Sequence, residues 1–278
     1  IVSASYSDPH GTAVTNAIGT LNVLESLRQV DWECNCVFVT SDKCYDNVEW
    51  IWGYKETDAL GGKDVYSGSK AAAEVLIKSY HESFFAHESS PVRIGVGRAG
   101  NVIGGGDWAR DRIVVDAILA WADGKAVSVR KPHATRPWQH VLEPLSGYLD
   151  LGNNLNQNNP VIIGQAYNFG PSSNQNRTVL QLLDEIGANW DATPCCAVSI
   201  TAEERFKEAG LLKLNCDKAL AHMGWTSTLN FKETAKLTGE WYSAFYAKRS
   251  DLNLVTGNQI QYFVTEARSR GLAWAVIE

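Results

Sequence analysis

The feature that most constrains this chain is a pair of short β-branched runs separated by a loop and a helical stretch. The first run, CVFVTSD, starts at Cys36 and ends in polar residues; the second, VRIGVGRAGN, starts at Val92 and leads into GGGD. Such runs read as buried parallel strands, because a strand covered on both faces needs apolar residues throughout. Between them lie a Gly- and Trp-bearing loop and a helix expected from Tyr66 through Phe85. Strand, loop, helix and strand make a βαβ unit, which takes its ligands at the carboxyl ends of the strands. The predicted class is therefore α/β.

Upstream, Val14, Ile18, Leu21, Leu24, Leu27 and Val30 fall at helical spacing from Gly11 onward. Downstream, RIVVDAILAWADG reads as a helix that stops at Gly124. Past Arg136 the pattern becomes irregular, with helices expected around Leu145–Leu151, Val179–Ile186, Phe231–Ala247 and Asn258–Ser269. The expected organisation is a partial Rossmann-type domain over residues 1–140, a doubly wound parallel sheet carrying the catalytic residues. A smaller, mixed substrate lobe is expected over residues 141–278, with some interleaving. A dinucleotide fold ordinarily opens with a strand, a Gly-rich turn and a helix whose amide N–H groups hold the pyrophosphate. No such string precedes the first strand, so the expectation is a sheet whose N-terminal strands are missing, from an incomplete sequence or a degenerate protein. The GGGD string, Gly104–Asp107, follows a late strand and reads as a mobile substrate loop.

Composition narrows the classes of function. A net charge of -6 argues against a nucleic-acid partner, which normally calls for a basic face. No apolar run approaches a membrane span and the first residues carry no signal-peptide pattern, so a cytoplasmic protein is expected. The 6 cysteines fall as CNC, CC and singletons, a spacing that matches no zinc-ligand set, and free thiols with no metal are expected.

The chemistry is carried first by Tyr66 and Lys70 in YSGSK. Four residues apart on a helix, they share one face. There an ammonium stabilises phenolate, and a phenolate at neutral pH takes the proton of a sugar hydroxyl. The same spacing also fits a surface Tyr and Lys at a helix start. Ser41, Asp42 and Lys43, in VTSDKCYDN, stand at the end of the preceding strand, where a sheet opens to ligand. Ser41 suits a hydroxyl that hydrogen-bonds the same substrate oxygen; a solvated turn with a local ion pair is the other reading of this string.

TSDKCYDN, EWIWGYKETDALGG, YSGSK, RAGNVIGGGDWARDRIVVD and RPWQHVLEPLSGYL together resemble the CDP-glucose 4,6-dehydratase family, extended short-chain dehydrogenases/reductases, from Ser5 to Trp241. The resemblance implies NAD as cofactor and a nucleotide sugar, CDP-glucose, as substrate. It implies oxidation at C4, loss of water across C5 and C6, and hydride return to C6. By the same resemblance Tyr66 takes the 4-hydroxyl proton, Asp42 protonates the departing 6-hydroxyl, and Lys43 assists removal of the C5 proton. A lysine serves as such a base only where burial or neighbouring cations favour its neutral form. Asn16 in TNAIGT corresponds to the helix asparagine that, with Tyr66 and Lys70, organises the cofactor end of the site. Asn101, Arg112 and Arg136 correspond to contacts with the sugar diphosphate, guanidinium forks suiting phosphate oxygens. A helix-interior polar residue and two surface arginines are the plainer alternatives for Asn16, Arg112 and Arg136. AYNFGP around Asn168 matches an ordered segment with no chemical role assigned. Val65 departs from the family, which commonly has proline before the tyrosine. A nucleotide-sugar epimerase, or an inactive fragment that binds nucleotide sugar, are the competing functions. Amphipathic helices bearing Val14–Leu27 and Ala71–Ile77 suggest a homodimer through a helix bundle, or else cover their own sheet.

Overall fold

The computed structural model describes residues 2–190, 196–201, 211–248 and 251–276. The chain forms two compact units. The first comprises Ile1–Gly100, Pro144–Gly170 and Leu212–Thr226; the second comprises Asn101–Glu143, Pro171–Leu211 and Ser227–Glu278. The chain thus crosses between units five times, where the sequence expectation placed one division near residue 140 with some interleaving.

In chain order the elements begin α1 (Val2–Ser7), α2 (Pro9–Ala13), α3 (Gly19–Leu27), β1 (Cys34–Val39), α4 (Val65–Tyr80) and β2 (Val92–Ala99). Next come β3 (Val102–Ile103), α5 (Ile113–Ala122), β4 (Val127–Val129), β5 (Thr135–Arg136), β6 (Gln139–His140) and α6 (Leu142–Asn156). They continue with β7 (Ala166–Phe169), β8 (Arg177–Thr178), α7 (Val179–Gly187), β9 (Val198–Ile200) and α8 (Asp217–Met223). The last two are α9 (Phe231–Ala247) and α10 (Leu252–Ser269).

The first unit is built on a parallel sheet in the order β1-β2-β7. Cys34 pairs with Val92 and Val39 with Gly97, while Val96 pairs with Ala166 and Ala99 with Phe169. The two β-branched runs are therefore adjacent parallel strands, joined by a crossover helix as in a βαβ unit. Alternation along β2 explains its two faces. Val92, Ile94 and Val96 point into a core with Leu24 and Leu27 of α3, Ile77 of α4, and Phe85. Gly95 and Gly97 face the other way, onto α6, where a Cβ at Gly97 would lie 2.5 Å from Tyr148 Cε1 and one at Gly95 3.0 Å from Leu151 Cδ1. Glycine at alternate positions thus lets α6 lie directly on the sheet.

The N-terminal helical stretch starts earlier than periodicity placed it. Helix begins at Val2, and a restart is set by Asp8, whose carboxylate accepts the N–H of Gly11 at 2.8 Å ahead of Pro9 in the first turn. Val14–Ile18 form a π-helical turn before α3. The long helix after the Trp loop is capped by Asp64, which accepts the Ser67 N–H at 2.9 Å and the Ser67 hydroxyl at 2.8 Å. It ends as α-helix at Tyr80 and closes in a second π turn over His81–Phe85.

The second unit holds a core of Ile118, Trp121, Leu182, Leu183, Ile186, Phe231 and Tyr242, drawn from α5, α7 and α9. Capping boxes start α7 at Thr178 with Gln181 and α9 at Asn230 with Glu233. Short strands pair as β3 with β6, β4 with β9, and β5 with β8. The helix expected from Asn258 begins at Leu252, capped by Asp251. The GGGD string is not a free loop. A Cβ at Gly105 would lie 2.1 Å from the indole of Trp241, Tyr242 donates its hydroxyl to the Asp107 carbonyl at 2.6 Å, and Trp108 packs edge-on to Tyr242 at 5.3 Å. The missing side chains of the glycines are what let the loop lie flat on α9, so the expectation of a mobile loop gives way to a packed one. No helix among the described residues is long and apolar enough to cross a membrane.

Candidate functional site

In the first unit, the chain leaves β1 into a tight turn at Asp42–Cys44. Ser41 caps it: its hydroxyl oxygen accepts the Lys43 N–H at 3.2 Å and its proton goes to Asp42 Oδ1 at 3.1 Å. Ser41 and Asp42 are buried and Lys43 is half-buried. A short polar side chain that bonds the backbone two residues on is what bends a strand end into such a turn. The turn packs against α4, which carries Tyr66 and Lys70 in its first half, both half-buried. Asn16 sits in the π turn that also packs on α4, and its amide donates to Ser69 Oγ at 2.9 Å. A π turn widens the helix by one residue and is often found at functional positions. Ser41, Asp42, Lys43, Asn16, Tyr66 and Lys70 therefore gather around the start of one helix at the carboxyl end of β1.

Burial sets the electrostatics here. Lys70 has its pKa lowered by desolvation, with the Glu74 carboxylate and Cys44 pulling the other way. Glu74 itself is held by Arg98 of β2 in a bidentate pair, both contacts at 2.8 Å, with each side chain under 5% exposed (4% and 3%). Burial opposes the Arg98 charge, but Glu74 more than offsets it and leaves the guanidinium pKa raised.

Three features escaped the sequence argument. Gly100, directly after β2, leaves the space that the Asp42 carboxylate fills: a Cβ there would stand 1.9 Å from Asp42 Oδ2. Its signal was a glycine at a strand end facing an acidic residue at its neighbour's end. Asn168, to which no role was assigned, is fully buried and ties four segments together. It accepts the Tyr45 hydroxyl at 2.7 Å, donates its amide to the Tyr54 and Asn215 carbonyls, and gives its backbone N–H to Glu56. Arg98 and Glu74 had no signal beyond being charges inside an apolar strand and an amphipathic helix.

The residues expected to contact phosphate, Asn101, Arg112 and Arg136, lie in the second unit. Asn101 takes a left-handed backbone, φ 54°, and its carbonyl accepts the Gln139 N–H at 3.2 Å. A non-glycine residue in that region is uncommon and is found disproportionately at ligand sites. Arg112 is exposed and lies 3.4 Å from Asp107; Arg136 is half-buried in β5, its Nη1 donating to the Thr135 carbonyl at 2.9 Å.

Parallel strands with helices on both faces, and a Tyr-x-x-x-Lys helix at the strand ends, define a Rossmann-type α/β protein of the short-chain dehydrogenase/reductase class. The chain belongs to the family described as GDP-mannose 4,6 dehydratase, whose model matches residues 1–258. Among curated proteins it is similar to a CDP-glucose 4,6-dehydratase of Salmonella typhimurium, 37% identical over 268 residues, which covers 95% of this chain and 74% of that protein. Among solved structures it is similar to the dTDP-glucose 4,6-dehydratase DesIV of Streptomyces venezuelae, determined with NAD bound. The TM-score is 0.69 at 18% identity, over 91% of this chain and 73% of that one. It is also similar to the UDP-glucuronic acid 4-epimerase of Bacillus cereus, in complex with UDP-glucuronic acid and NAD. There the TM-score is 0.70 at 16% identity, over 84% and 69% of the two chains.

Proposed function

We propose that this protein is an NAD-dependent dehydratase that converts CDP-glucose to CDP-4-keto-6-deoxyglucose. The observation that carries this reading is the packing of the Ser41–Asp42–Lys43 turn onto the helix of Tyr66 and Lys70. An acid and a base beside an oxidising pair are what elimination next to a new ketone requires. The 37% identity to a CDP-glucose 4,6-dehydratase supports the choice of reaction and nucleotide.

The donor set fits a nicotinamide dinucleotide at its hydroxyl-bearing end: a half-buried ammonium with no ion-pair partner among the described residues, a phenol one turn away, and the Asn16 amide. Tyr66, Lys70 and Asn16 would hold it. When bound, NAD would supply the hydride acceptor for C4 and the hydride donor for C6. Tyr66, kept as phenolate by the Lys70 charge, accepts the 4-hydroxyl proton. Ser41 hydrogen-bonds the same oxygen and fixes its direction. The ketone makes the C5 proton acidic; Lys43 assists its removal, and C5 takes a proton back when hydride reaches C6, so that only water is lost. Asp42, seated in the space that Gly100 leaves, delivers a proton to the 6-hydroxyl as it departs as water. Asn101, Arg112 and Arg136 bind the diphosphate, Asn101 through its left-handed backbone and the arginines through their charge.

Free thiols at all five described cysteines agree with a reducing, cytoplasmic setting. Exposed Val14, Ile18, Val23 and Val75 on the N-terminal helices and α4 support a homodimer through those helices. The test of function is incubation of the purified protein with CDP-glucose and NAD, followed by the alkaline absorbance of a 4-keto-6-deoxy sugar. Formation of a C4 epimer instead would replace the dehydratase reading with an epimerase. No product at all would leave nucleotide-sugar binding without turnover.

A further inference from the structure

We propose that the buried Glu74–Arg98 pair is a positioning device that keeps a carboxylate from claiming the Lys70 ammonium, so that this charge acts on Tyr66 instead. The inference rests on the reading of Tyr66 as the base.

The geometry begins on α4. Tyr66, Lys70 and Glu74 follow one another at steps of four and share one helix face. Lys70 therefore stands between the phenol it is meant to charge and a carboxylate at the same spacing. Left alone in a buried place, that carboxylate would draw the ammonium to itself, because opposite charges attract strongly where water is excluded. Three groups prevent it. Arg98 Nε and Nη2 each reach a Glu74 oxygen at 2.8 Å, and the Thr40 hydroxyl donates to Oε1 at 2.5 Å, so both carboxylate oxygens are engaged. Arg98 is itself clamped. Its Nη1 donates to the Tyr45 hydroxyl at 2.7 Å and to the Glu56 carbonyl at 3.3 Å, and its guanidinium lies 4.9 Å from the Tyr45 ring centre. Tyr45 directly follows the Asp42–Cys44 turn, and its hydroxyl proton goes to Asn168 of β7. One network thus ties Thr40 and Tyr45, on either side of the turn, to β2, β7 and α4 about the same guanidinium.

A buried pair of this kind is a poor source of stability, since apolar groups of similar volume often serve as well. Its use here is where it leaves the charges. The groups facing Lys70 are Glu74 on its own helix, Cys44 in the turn beside Asp42 and Lys43, and Arg98 on β2 behind Glu74. The N-terminal helices present the neutral Asn16 to Ser69, while their Glu25 is engaged by Arg28 and by Tyr80 at the far end of α4. Burial already lowers the pKa of Lys70, and Glu74 opposes it, so the carboxylate's neutralisation by Arg98 decides how the ammonium is shared.

Opposite charge changes must then move Tyr66 in opposite directions. In Arg98→Met, Glu74 turns to Lys70, and phenolate becomes harder to form. The pH at which the ascending, low-pH limb of kcat/KM develops should rise by about one unit, a loss of about tenfold at a pH on that limb. In Glu74→Gln, the uncompensated guanidinium favours phenolate and the limb should move to lower pH. The double variant Glu74→Met/Arg98→Met should return close to the parent. The second readout is the phenolate absorbance of each variant minus that of the same variant carrying Tyr66→Phe, titrated without nucleotide sugar. Because it needs no turnover, it stands even if the dehydratase reading fails. If Arg98→Met does not fold, the acid shift of Glu74→Gln against the double variant carries the test. Shifts in the same direction, no shift, or a double variant that keeps the shift of either single variant would overturn the proposal, since a purely structural pair produces those results.

Discussion

Substituting Gly100→Ala tests whether the Asp42 carboxylate must stay where it is. The added methyl would lie 1.9 Å from Asp42 Oδ2, 2.1 Å from Cγ and 2.7 Å from Oδ1. Ordinary carbon–oxygen contact needs roughly 1.5 Å more than the shortest of these. Asp42 is short, 4% exposed, and bonded to Ser41, so it has little room to swing aside. Two consequences follow. Overpacking of a buried site should destabilise the fold by about 2 kcal/mol, which lowers Tm by roughly 5 °C for a protein of this size. Displacement of the proposed acid by more than 1 Å should lower kcat by about a hundredfold. Thermal unfolding and steady-state dehydration measure the two separately. The decisive comparison is with Asp42→Ala/Gly100→Ala. Removing the carboxylate frees the space, so Tm should recover while activity stays lost. A Gly100→Ala protein with unchanged Tm and kcat within threefold of the parent would refute the reasoning. So would a double variant no more stable than Gly100→Ala alone.

Tyr66→Phe should lower kcat by roughly 10³-fold in a protein that still folds, because the ring stays in its half-buried helix position; a loss under tenfold in the dehydration assay would count against its role. Asn168→Ala leaves the Tyr45 hydroxyl and the Tyr54 and Asn215 carbonyls without their partner, and should cost about 3 kcal/mol, read as a lower urea midpoint. Glu143 in the second unit is 1% exposed and accepts the Thr228 and Leu229 N–H groups at 2.9 and 2.5 Å. Burial nonetheless pushes its pKa up to about 7 from 4.5. A raised folded pKa means the native state binds the proton more tightly, so this contribution is fully present below pH 4.5 and is lost as pH rises through about 7. Urea midpoints from pH 4.5 to 8 should therefore decline by up to about 3 kcal/mol in ΔG, and Glu143→Gln should flatten that slope; an equal slope in both proteins contradicts the assignment.

Local order in the chain carried the βαβ core and pointed to the residues proposed as acid and base. The short β-branched runs VRIGVGR and CVFV marked which segments are strands, because a strand buried on both faces has few other compositions. The four-residue step from Tyr66 to Lys70 settled that they share a face, because helical geometry makes it so wherever the helix lies. The capping residues Asp64, Thr178 and Asn230 likewise act within three positions of themselves. What tertiary structure decided lies between segments far apart in sequence. Glu74 meets Arg98 across 24 positions, and Tyr45 meets Asn168 across 123. Nothing in the periodicity of either segment names the other, because partner choice depends on the register of β2 between β1 and β7 and on which face of α4 turns inward. The same dependence hid Gly100 and the packing of Gly104–Asp107 on α9, since a glycine's meaning is set by what occupies the space its side chain leaves. The residues proposed to do the chemistry were legible because they sit in short strings, and their roles came from the family those strings resemble. The residues that hold them in place became legible only when strand order brought their partners within hydrogen-bond reach.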